Sequence, residues 1–72
     1  MTERTYNIED IEPVDLLGVN NRILKVLEAK FPNLKIHSRG RTIRFRGESD
    51  EVDLFEEKIN LMANYFKKYN TL

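Results

Sequence analysis

Six side chains within twelve residues could hold an anion: Lys35, His37, Arg39, Arg41, Arg44 and Arg46. They lie in the stretch Asn33–Gly47, which carries five lysines or arginines and no carboxylate. The chemistry open to such a set is recognition of phosphate. Cations repeated at strand spacing follow a nucleic-acid backbone, and arginine also stacks on unpaired bases. Acid–base catalysis has less to work with. His37 is the only histidine and there is no cysteine. No carboxylate or second nucleophile stands near His37 in sequence, so no catalytic residue is assigned. A histidine-rich or thiolate metal site is excluded by the same counts, and no cofactor is expected in this segment. Paired acids such as Asp50-Glu51 and Glu56-Glu57 read as a solvated helix face.

The spacing of these cations says what must position them. Leu34 and Ile36 alternate with Lys35 and His37, and Ile43 and Phe45 alternate with Arg44 and Arg46. A period of two marks strands with one buried face. Ser38-Arg39-Gly40-Arg41 lies between the two runs, and Gly40 can take the positive φ of a tight reversal. A hairpin is therefore expected, with its apolar side chains in the core and its cations in solvent. A slip of one residue would bury the charges, so the register is strongly specified.

Charge is distributed unevenly although the 72-residue chain is neutral overall. The ten residues after the hairpin, 48–57, hold six acids and no base. Acids at a helix start are favoured by the macrodipole. From Val52 the apolar residues Phe55, Ile59, Met62 and Phe66 step by three or four, which is one helical seam. The expected helix spans about 49–69, with Ser49 as N-cap and Lys67 and Lys68 in its last turn. Leu54, Leu61 and Tyr65 flank the seam. They either complete the cover over the sheet or meet a neighbouring domain, a partner or a second copy.

Before the hairpin, Arg4–Ile8 alternates weakly and reads as a strand, with Met1 and Thr2 loose. Pro13 suits the first position of a short helix at 13–17. Gly18-Val19-Asn20-Asn21 is a turn whose asparagines can cap the next helix. Ile23, Leu24, Leu27 and Phe31 then follow helical spacing until Pro32 stops them. The expected core includes Tyr6, Ile8, Leu16, Leu17, Ile23, Leu27, Phe31, Leu34, Ile36, Ile43, Phe45, Val52, Phe55, Ile59, Met62 and Phe66. The order is β-α-α-β-β-α: an α+β domain with three strands, the 42–46 strand in the middle, and helices on one face. A single small domain spans 1–72. No apolar run approaches a membrane span, no signal pattern opens the chain, and the absence of cysteine leaves a cytoplasmic setting unopposed.

That order, with a glycine-containing turn between the first two helices, resembles a type I KH domain. KH modules clamp single-stranded nucleic acid with a GxxG loop at that place. Here the loop reads Gly18-Val19-Asn20-Asn21, with asparagine for the second glycine and no basic middle residue. The ordered words Asp15–Arg22, Phe31–Ile36, Arg39-Gly40 and Arg46-Gly47-Glu48 are more similar to the N-terminal region of PhoH-like proteins. These are cytoplasmic, phosphate-starvation-associated ATPases in which a KH-like segment precedes a P-loop domain. The resemblance covers about Tyr6 to Tyr69. It implies an accessory domain to an ATPase domain absent from this chain. ATP and Mg would bind there, since no GxxxxGK[ST] run occurs here. It also implies RNA as ligand, with the ATPase domain itself, an RNase or a second copy as protein partners. A docking or oligomerisation module is the alternative to RNA binding.

Overall fold

The computed structural model describes residues 1–69. Three strands, β1 (Thr2–Asn7), β2 (Lys35–Arg39) and β3 (Thr42–Gly47), form one antiparallel sheet in the order β1-β3-β2. Helix α1 (Pro13–Leu17), a single 3₁₀ turn at Val19–Asn21, and helices α2 (Arg22–Lys30) and α3 (Ser49–Tyr69) complete the chain. The β-α-α-β-β-α order and the central place of β3 are those the sequence implies.

β2 and β3 are joined by two residues, Gly40 and Arg41, because Arg39 pairs with Thr42. Gly40 has φ +58°, and a glycine first in a two-residue loop matches the twist of the flanking strands. β1 begins earlier than its own alternation suggests. Thr2 is paired with Gly47, so the tertiary partner and not the local pattern sets its start.

The core lies between the sheet and the helices. Phe45, Phe55, Ile43, Ile59, Val52 and Leu16 are fully buried, surrounded by Ile8, Leu17, Leu27, Phe31 and Leu34. Phe55 is the hub: its ring meets Phe31 edge-on at 5.4 Å and Phe45 at 4.7 Å. Three residues outside the expected core are also buried: Ile11, Leu24 and Ala63. Ile23 was expected inside but stays partly exposed; its neighbour Leu24 takes the inward position. Tyr6, Ile36, Met62 and Phe66 are half-buried at the margin. Burial raises the Tyr6 phenol above its ordinary value near 10, helped by the charges of Glu9 and Glu56. The neutral phenol is therefore favoured by folding, and the unfolded chain ionises first as pH rises. Its stabilisation is complete below about pH 10 and is lost above it. Alkaline unfolding followed by circular dichroism should move to higher pH in Tyr6→Phe.

The helix ends differ from the sequence reading. The Glu48 carbonyl accepts from the Val52 N–H at 2.9 Å, so Glu48 occupies the capping position and Ser49 is already helical. Asn21 precedes α2 in a left-handed conformation, and its side chain makes no capping bond. The acidic start of α3 has a partner besides the helix dipole. Arg4, on the helical side of β1, donates to Asp53 Oδ1 at 2.6 Å and Glu56 Oε1 at 3.0 Å. Those two carboxylates hold the Arg4 guanidinium more firmly protonated than usual.

Candidate nucleic-acid interface

Among the described residues no element covers the face of the sheet away from the helices. Register arranges its side chains in three rows across the strands. Glu3, Arg46 and Lys35 form one row, Thr5, Arg44 and His37 the next, and Asn7, Thr42 and Arg39 the third. All are exposed except the half-exposed Thr42. Neighbouring strands lie about 4.8 Å apart and alternate residues about 6.7 Å apart along a strand. The four cations Lys35, Arg39, Arg44 and Arg46 are thus grouped within one side-chain layer. Among the described residues none of the four forms an ion pair; the salt bridges belong to Arg4 and Arg41. Their charge is directed to solvent, with Glu3 the acid placed beside Arg46 by the register.

Two shallow depressions adjoin on this face and share His37 and Arg44. One, about 360 Å³, is lined by His37, Arg39, Thr42 and Arg44. The other, about 210 Å³, is lined by Glu3, Lys35, His37, Arg44 and Arg46. The first offers cationic and neutral donors with no carboxylate. In the second a single acid stands among cations. Among the described residues no cluster of histidines and acids could hold a metal ion.

Five of the six sequence-derived candidates share this face. Arg41 does not. Its guanidinium turns to the helical side, donating to the carbonyls of Ile11 at 3.0 Å and Ile8 at 3.3 Å and reaching Glu12 Oε1 at 3.4 Å. A turn residue can point to either side, and here the bare carbonyls of the β1–α1 loop decide. That loop includes Asp10 at φ +63°, a conformation that needs external support. Arg41 is its clamp. Arg41→Ala should lower stability by about 1–2 kcal/mol while leaving the binding of any ligand on the open face intact. Urea unfolding and a ligand titration on the same variant would check both halves.

The Gly18–Asn21 turn lies on the helical side, between α1 and α2. Gly18 takes φ +84°, ψ 164°, a region essentially confined to glycine. A Cβ there would also press Ile23 Cγ1 and N at 3.2 Å. Asn20 and Asn21 are both left-handed, at φ +57° and +58°, a conformation asparagine tolerates. Asn21 thus holds, with a side chain, a backbone conformation that glycine would also adopt. Two amides of the turn are already used: Gly18 N–H donates to Val14 O and Asn21 N–H to Gly18 O. With Val19 exposed and no cation inside the turn, it supplies little grip on phosphate.

Glu3, Thr5, Asn7 and Thr42 complete the face and were not among the sequence candidates. The signal existed in β1, where Glu3, Thr5 and Asn7 alternate with Arg4, Tyr6 and Ile8. It was masked because Arg4 occupies an inward position. On the opposite, helical side, Ile23, Leu61, Met62 and Tyr65 line an apolar depression of about 420 Å³. Leu54, Leu61 and Tyr65 are 45%, 58% and 49% exposed, so they do not complete the core. No helix of the described residues is long and apolar enough to cross a membrane. No family model, curated protein or solved structure matches this chain.

Proposed function

We propose that this domain is a non-catalytic binding module that holds single-stranded RNA across the open face of its sheet. The observation that carries the reading is the group of four solvent-directed cations, Lys35, Arg39, Arg44 and Arg46, on one flat layer, none of them ion-paired among the described residues. Such a layer neutralises phosphates without a deep pocket, and it leaves the bases of an unpaired strand free to lie on the neutral part of the face. His37 sits inside the cationic group and adds a ring that can donate or stack. The β-α-α-β-β-α order agrees with a KH-like module, and the resemblance to PhoH-like proteins supports a role beside a cytoplasmic ATPase, where ATP and Mg would act. The reading rests on the surface; the resemblance supplies its setting.

The grip differs from that of a GxxG clamp, because the Gly18–Asn21 turn has neither the second glycine nor free amides throughout. If the four cations each meet a phosphate, log affinity falls with log salt at a slope of about −2.8. Between 50 and 200 mM salt the affinity of a short single-stranded RNA should drop about fifty-fold. Fluorescence anisotropy across that range checks it, and a slope near zero would count against the reading.

A second reading is favoured by a separate observation, the apolar depression of Ile23, Leu61, Met62 and Tyr65 between α2 and α3. That surface suits docking to a protein, either the companion ATPase domain or a second copy. It lies across the molecule from the cations, so both activities are compatible in one domain. A sedimentation concentration series on the wild type and Leu61→Ser distinguishes self-association from docking to a different protein.

A further inference from the structure

The open face is not uniformly basic. Its cations occupy β2 and the central strand β3, whereas β1 contributes Glu3, Thr5 and Asn7. A phosphate chain is drawn to the β2–β3 side and repelled from Glu3. The bases of that chain therefore project over β1, where neutral and acidic groups are found. Glu3 is the one carboxylate among the strand residues of this face, it is exposed, and it forms no ion pair among the described residues. A carboxylate in that position costs phosphate affinity.

Its neighbours indicate what it can read. Glu3 is directly opposite Arg46 in the antiparallel register, and the two share a depression with Arg44 and Lys35. Side chains directly opposite on neighbouring strands have their Cβ atoms about 5 Å apart. A carboxylate and a guanidinium at that separation, facing the same way, form a paired acceptor and donor set. Guanine is the base with the complementary edges. Its N1–H and N2 amino group donate side by side to two carboxylate oxygens, while O6 and N7 accept the fork of an arginine. Adenine and cytosine offer one amino group without a neighbouring N–H donor. Uracil offers one N–H flanked by two carbonyls, which a carboxylate repels. The Watson–Crick edge of guanine is free only in an unpaired strand, which is the form the flat face accepts.

We propose that Glu3, acting with Arg46, makes this face selective for an unpaired guanine, with Glu3 on the Watson–Crick edge and Arg46 on O6 and N7. The proposal rests on the RNA-binding reading above and deepens it by naming the base. Arg44, Lys35 and Arg39 then hold the flanking phosphates. Thr42 Oγ1 lies 3.3 Å from Asn7 Oδ1, so that contact orients the Asn7 amide at the far end of the β1 side.

The test uses fluorescence anisotropy at low salt with uridine hexamers carrying one central substitution. Against all-uridine RNA, the guanine oligomer should bind about ten-fold more tightly. An inosine oligomer, which lacks the N2 amino group, should fall between the two. In Glu3→Gln the guanine preference and the guanine–inosine gap should both collapse, while all-uridine RNA binds as well or better because a repelling charge has gone. That last change separates a reading role from loss of fold, and circular dichroism of the variant confirms it. Binding of every hexamer with equal affinity would overturn the assignment of Glu3 and leave the RNA surface standing. Binding of none would overturn both.

Discussion

Phe55→Ala should remove about 3–5 kcal/mol of folding free energy, the largest effect of any single truncation in this domain. Phe55 is fully buried and its ring bridges two others, Phe31 behind α2 and Phe45 on the central strand. Truncation deletes both aromatic contacts and leaves a cavity where α2, α3 and the sheet converge. A chain of this length has about 4–11 kcal/mol in total, at 0.05–0.15 kcal/mol per residue. The variant therefore sits close to its unfolding midpoint without denaturant. Urea titration should show a much lower midpoint with an unchanged slope, since the surface exposed on unfolding is nearly the same. A loss below about 1 kcal/mol would mean that the helices and sheet close around the gap, which the density of native packing argues against.

The second large effect concerns binding. With all-uridine RNA, where Arg46 has no guanine to engage and meets a phosphate, Arg44→Gln combined with Arg46→Gln should lower the salt slope from about −2.8 to about −1.4, because two of four phosphate contacts are lost. At 0.1 M salt the counterion term for two contacts corresponds to a weakening of about 25-fold. Both side chains are exposed and make no ion pair among the described residues, so stability should be nearly unchanged. Arg41→Ala gives the opposite pattern, with weaker folding and unaltered binding. Together the variants separate the cations that face solvent from the one that holds a loop.

These contrasts also show what could be read from the chain. The hairpin was legible because Leu34, Ile36, Ile43 and Phe45 alternate with cations, and only one register keeps charges out of the core. The long helix was legible because Val52, Phe55, Ile59, Met62 and Phe66 repeat at helical spacing. The direction of Arg41 was not legible, since it depends on carbonyls of Ile8 and Ile11 some thirty positions earlier in the chain. Neither was the choice of Leu24 over Ile23: both are apolar and adjacent, and the rotation of α2 against the sheet decides between them. Ala63 is buried because α3 packs closely, and a small residue carries almost no hydropathy signal. Glu3 escaped notice because a lone acid in a weak strand has meaning only once β1 is placed beside Arg46.

RNA is proposed to lie on the uncovered side of the sheet. An amide-shift titration with a short single-stranded RNA at low salt tests it most directly. Saturable shifts are expected, confined to β1, β2 and β3 and largest around His37, Arg44 and Arg46, with α2 and α3 still. Shifts centred on Gly18–Asn21 or on Leu61 and Tyr65, or no shifts at all, would contradict it.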